Sequence, residues 1–80
     1  MRICQLASGS KGNALYVESG QTRILVDGGL SARALEQRLA TIGVAGRQLD
    51  AVFLTREHGD HRLGVGPLCR RFDLPLYAVP

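Results

Sequence analysis

The sequence predicts a mixed α/β fold, one sheet with helices on one face, and three observations carry that expectation. Three short runs rich in apolar residues open the chain, joined by glycine-containing turns. A capped amphipathic helix follows them. From Thr22 onward strands and helices alternate, the pattern of βαβ units.

Ile3–Leu6 is the first run and ends in the loop Ala7-Ser8-Gly9-Ser10-Lys11-Gly12-Asn13. Ala14–Glu18 and Thr22–Val26 flank the turn Ser19-Gly20-Gln21, so the three runs predict an antiparallel meander that Asp27-Gly28-Gly29 ends. Ser31 is a good N-cap for a helix reaching about Ile42. Leu30 and Leu35 stand at the spacing of a hydrophobic staple, Leu35, Leu39 and Ile42 share one helical face, and Gly43 is placed to stop the helix. Ala51-Val52-Phe53-Leu54 is a continuous apolar run, which predicts a strand buried on both faces. It should neighbour Thr22–Val26, with Leu35, Leu39 and Phe53 in one cluster. Pro67 suits the first position of a short helix whose stripe is Val65, Leu68, Cys69 and Phe72. Leu74–Val79 begins a further strand.

With 80 residues the chain makes at most one small domain, and 45% hydrophobic against 21% charged residues sets it apart from disordered tails. The net charge of +3, nine arginines and one lysine against seven acids, is mild, and the arginines are scattered. A solvated surface accounts for them more readily than a nucleic-acid patch. No apolar run approaches a membrane span, and the first residues lack the apolar core of a signal peptide. The expected location is therefore the cytoplasm, away from membranes, with Cys4 and Cys69 as reduced, buried thiols.

Both histidines fall in Thr55-Arg56-Glu57-His58-Gly59-Asp60-His61, directly after the apolar run that ends at Leu54. Imidazole nitrogens and a carboxylate oxygen are what a borderline-soft divalent ion such as zinc accepts. A buried strand opening into a short glycine-containing loop can aim such groups at one point and leave a position for water. An isolated H-x-D-H would more simply be exposed loop residues, with Asp60 capping the next turn. The strand before it shifts the balance toward a site.

Three motifs, in order, resemble those of the metallo-β-lactamase superfamily. Thr55–Gly64 is similar to its T-H-x-H-x-D-H-x-x-G pattern, and Ala7–Asn13 to the A-S-G-S-x-G-N opening of a bacterial cytoplasmic branch. Ile24–Ser31 resembles that branch's strand-to-helix junction. The resemblance implies that residues 1–80 are a partial domain, the N-terminal part of an αββα sandwich. It implies a metal-dependent hydrolase of esters or phosphodiesters, with phosphodiesterase or DNA exonuclease activity, and so nucleic acid or another phosphodiester as partner. Two zinc ions would share a hydroxide. His58 would bind the first ion and Asp60 and His61 the second, with Asp60 also catalytic. Asp27 would lie beneath the site, orienting a ligand or bound water; a polar strand end capping its loop is an equal reading of that residue. The Ser8–Asn13 loop either borders the substrate cleft or merely connects two strands, and it lacks the spacing of a P-loop.

Arg56 stands where the family pattern has its first histidine. A guanidinium has no lone pair to give, so the first metal site is expected to be crippled, with one zinc or none bound. The family's further ligands come from beyond position 80, so this chain is expected to be inactive alone. Two alternatives stand beside the hydrolase: a non-catalytic binding or interaction module of the same fold, and a small α/β module in which the His-Asp-His cluster is incidental.

Overall fold

Alternate residues of each opening run point to a common core, and that period pairs them as a sheet. The computed structural model describes residues 1–10, 12–56 and 59–78. In it β1 (Arg2–Ala7), β2 (Ala14–Ser19) and β3 (Thr22–Val26) form the antiparallel meander. Gly20, at φ 60°, and Gln21 make the tight turn between the paired Ser19 and Thr22. Helix α1 (Ala32–Thr41) returns the chain so that β4 (Ala51–Leu54) lies parallel to β3. A four-residue helix, α2 (Gly59–Arg62), leads to α3 (Val65–Phe72), and β5 (Leu76–Ala78) then lies parallel to β4. The mixed sheet has the sequential order β1-β2-β3-β4-β5.

The helices cover one face of this sheet. Tyr16, Leu25, Val52 and Leu54 point to it, and Leu35, Leu39, Val65 and Leu68 close over them. Ser31 caps α1, its hydroxyl oxygen accepting from the Ala34 N–H at 3.2 Å, and Gly43 at φ 78° follows its end. Leu35 and Leu39 have no exposed surface. Burying each contributes about 1.5–3 kcal/mol, more than the cap's ~1 kcal/mol, so packing rather than capping decides where α1 sits. Among the described residues no helix is long and apolar enough to cross a membrane.

Four expectations need correction. Phe53 does not join Leu35 and Leu39: it is 38% exposed on the opposite face, stacked on Tyr77 with ring centroids 5.2 Å apart. A strand's pleat sends Val52 and Phe53 to different faces, and helices cover one of them. Pro67 is the third residue of α3, not the first; no first-turn N–H has an intrahelical partner, so proline is tolerated there too. The last strand starts at Leu76, because Leu74 belongs to the end of α3, its N–H donating to the Cys69 carbonyl at 2.9 Å beyond a left-handed Asp73. Val79 lies outside the described residues. Cys4 and Cys69 are free thiols but half-buried, since each stands toward the margin of the core.

Candidate functional site

Because β3 and β4 are parallel, their carboxyl ends lie side by side, and the residues just beyond them meet. Thr55 gives Asp27 two hydrogen bonds, from its N–H to Oδ1 at 2.8 Å and from its hydroxyl to Oδ2 at 2.6 Å. His61, on α2, brings Nδ1 to 2.9 Å from Oδ2. Asp27 is buried and holds φ 65°, a left-handed backbone that aspartate tolerates better than most residues. Burial by itself raises its pKa, but the Thr55 hydroxyl, the Thr55 amide and the His61 ring outweigh it. The carboxyl is held below the ordinary carboxylate range.

An ionised Asp27 only accepts, so the Nδ1 of His61 carries a hydrogen toward it and Nε2 is the ring nitrogen that faces Asp60. That Nε2 stands 3.6 Å from Asp60 Oδ2. Two donors bonded to one tetrahedral zinc at 2.0–2.1 Å are roughly 3.3 Å apart. The imidazole nitrogen and the carboxylate oxygen therefore match one edge of such a site. Among the described residues they are not joined by a third donor into a group able to hold a metal.

Asn13 closes the arrangement from the side of β1 and β2. Its Nδ2 donates to the Gly9 carbonyl at 2.9 Å and the Asp60 carbonyl at 3.1 Å, with Asp60 Oδ2 and His61 Nε2 each at 3.4 Å. An amide has two hydrogens, so the two shorter contacts are the firm bonds. The end of the Ser8–Asn13 loop is thus fastened to α2. A cavity of about 170 Å³ opens there between Asn13, Leu15, Asp27 and His61.

The junction leaves no room for side chains. The Gly28 N–H donates to the His61 carbonyl at 2.6 Å, and the Gly29 N–H to the Asn13 carbonyl at 2.9 Å. A Cβ on Gly29 would overlap the Asp60 carbonyl. Glycine is what lets the three backbones approach.

Asp27, Asp60 and His61 are therefore gathered at one end of the sheet, although Asp27 and His61 are 34 residues apart. His58 lies outside the described residues, and Arg56 is exposed. Sequence reasoning missed Thr55 as a partner of Asp27 and gave Asn13 no contact with α2. The available sign for Thr55 was a hydroxyl directly after a buried strand, opposite an acid at the end of another. For Asn13 it was its place closing the A-S-G-S-x-G-N segment.

A family model described as the metallo-beta-lactamase superfamily matches residues 7–80. An exodeoxyribonuclease, WalJ, of Streptococcus pneumoniae is 47% identical over 73 residues, covering 91% of this chain and 27% of the relative. An exodeoxyribonuclease, YycJ, of Bacillus anthracis is 44% identical over 73 residues, covering 91% of this chain and 28% of the relative. The chain thus spans about a quarter of the length of these relatives. Among solved structures, the metallo-beta-lactamase fold protein YhfI of Bacillus subtilis is similar with a TM-score of 0.72 at 24% identity, over 95% of this chain and 37% of that one. The Rm3 metallo-beta-lactamase is similar with a TM-score of 0.72 at 30% identity, over 85% of this chain and 26% of that one.

Proposed function

This chain belongs to the metallo-β-lactamase superfamily, and from that membership we propose that it supplies part of the site of a metal-dependent hydrolase acting on DNA phosphodiesters. Asp60 and His61 are the proposed ligands of one divalent ion, with zinc favoured by the pairing of imidazole and carboxylate. His58 is proposed for the other ion, from its place in the motif. Asp27 orients His61 by fixing the hydrogen on Nδ1, and Thr55 holds Asp27 in turn. When bound, the metal supplies a water of lowered pKa and stabilises charge on the phosphoryl oxygens. The chain's own residues bond Nδ1 to Asp27 and so direct Nε2, with the Asp60 carboxylate beside it, to the place where the ion would be held. DNA as substrate is supported by the two relatives named as exodeoxyribonucleases.

The observation that carries this reading is the chain of contacts from Thr55 through Asp27 to His61, ending 3.6 Å from Asp60. Arg56 favours a second reading, a non-catalytic module of the same fold, because a guanidinium cannot replace a histidine ligand. A chimera separates the two. Residues 1–80, with Arg56 kept, are placed in the Bacillus anthracis relative in exchange for its matching segment, and degradation of labelled DNA is followed. The hydrolase reading expects metal-dependent degradation that His61→Ala abolishes. A folded chimera without degradation would overturn it and leave the binding module.

A further inference from the structure

On the far side of α2 from Asp27, a groove of about 560 Å³ runs between α2, α3 and the edge strand β5. Its floor is apolar, with Leu54, Val65, Leu76 and Ala78, and two guanidiniums, Arg62 and Arg70, line it. No acidic residue contributes to the lining among the described residues. Three of the chain's other seven arginines have carboxylate partners among the described residues, Arg2 and Arg23 at Glu18 and Arg71 at Glu36. The guanidinium of Arg70 folds back over the preceding turn, where Nη1 would lie 3.2 Å from a Cβ on Gly66. A larger residue at 66 would displace it. Gly59 and Gly66 also leave the walls low, since neither presents a side chain to the groove.

We propose that this groove binds a nucleic-acid strand next to the site, with Arg62 and Arg70 on its phosphates and the apolar floor against a sugar or base. The proposal rests on the hydrolase reading for its choice of ligand. Geometry supplies the connection: Asp60 and His61 of the candidate site and Gly59 and Arg62 of the groove belong to the same helix, α2. A strand positioned at Asp60 and His61 therefore meets the groove within one helical turn. Guanidinium forks suit phosphate oxygens, and an apolar floor accepts a sugar or base of any sequence. The groove would hold the strand without reading its sequence.

The test is binding of a short fluorescein-labelled oligo(dT) by the 80-residue chain, followed by anisotropy in EDTA. Arg62→Gln with Arg70→Gln is expected to weaken binding roughly tenfold and to flatten the dependence of log K on log salt by about 0.7 per arginine between about 50 and 200 mM salt. Arg47→Gln, the loss of one charge at an exposed residue of a separate surface, is expected to leave both within about twofold of the parent. Arg62→Lys with Arg70→Lys should retain the salt slope, which shows that charge and not folding is being read. Three results would overturn the proposal: a double glutamine variant that matches the parent, an Arg47→Gln loss as large as the double variant's, or no binding by the parent. EDTA removes metal from the measurement, so a failed metal site leaves this result standing. A failed groove likewise leaves zinc titration and chimera activity untouched.

Discussion

On the helix side of the sheet Leu25 and Val52 have no exposed surface, whereas on the other side Ile3, Phe53 and Tyr77 are 59%, 38% and 54% exposed. The same strands make both faces, and both are apolar: Ile3 pairs with Val17, Val17 with Ile24, Val26 with Phe53, and Phe53 with Tyr77. The difference lies in what is packed on them. α1 and α3 cover the first face, and nothing among the described residues covers the second. An αββα sandwich places a second sheet on that face, and the chain spans 27% of the length of its pneumococcal relative. Hydrophobic residues thus show that a face is built for burial, while the covering element decides whether it contributes to stability. The site lies at the end of the sheet, where Asp27 meets Thr55 and His61.

A pair of truncations separates the two faces. Leu39→Ala, on the covered face, is expected to cost about 2–5 kcal/mol through lost transfer energy and the cavity left behind. Ile3→Ala, on the open face, is expected to fall within about 0.5 kcal/mol. Urea unfolding of both variants measures the two values. Equal losses would mean that the open face is covered in solution.

How much of this was legible follows from the same contrast. The meander, Ser31 as cap and the apolar stripe through Leu35 and Leu39 are local patterns, with periods of 2 and 3.6 that a sequence displays directly. Phe53 was misplaced because a four-residue apolar run shows two apolar faces and not which one is covered. At the site, Asp27, Asp60 and His61 were legible as residue types at strand ends and in a motif. Thr55 and Asn13 were not, because their roles exist only where separate loops meet. Gly29 belongs with them: its need for a bare Cα comes from the Asp60 carbonyl, 31 positions away in the sequence.

A smaller effect is expected where the sheet meets the site. Asp27→Asn keeps the shape but sets an amide against the Thr55 hydroxyl or the His61 ring, at a cost of about 1–3 kcal/mol near neutral pH. The sign with pH follows from the depressed pKa of Asp27. Its contribution is present above the unfolded-state pKa, about 3.9, and is lost as pH falls through the folded-state value. In metal-free buffer, the gap between parent and variant should therefore be full at neutral pH and close in acid, below about pH 4. A gap that persists after Asp27 of the parent is protonated would place the cost in shape rather than charge.

Phe53→Ala probes the open face where two side chains cover each other. The stacked Phe53–Tyr77 pair, 5.2 Å between centroids, is expected to contribute about 0.5–1.5 kcal/mol with one ring face in water. Its loss should lie between those of Ile3→Ala and Leu39→Ala. A loss as large as that of Leu39→Ala would show that β5 depends on this pair for its place in the sheet.

The smallest effect on stability belongs to Arg56→His, and its consequence is read in metal binding instead. Arg56 is exposed, so exchanging it should change unfolding by no more than about 0.5 kcal/mol. From the sequence, a fixed positive charge at this position is expected to cripple the first metal site. Exposure moderates that expectation, because water screens the repulsion. A guanidinium roughly 8 Å from a divalent ion costs about 1 kcal/mol in a water-like dielectric, which is about fivefold in affinity. The new imidazole adds a donor of the kind zinc accepts. Calorimetric titration with zinc should therefore show weak binding by the parent and at least about fivefold tighter binding by Arg56→His. His61→Ala should abolish the gain if both histidines address neighbouring ions that share a water. Equal affinities for the parent and Arg56→His would mean that residue 56 points away from Asp60 and His61, and that Arg56 is no lesion in the site.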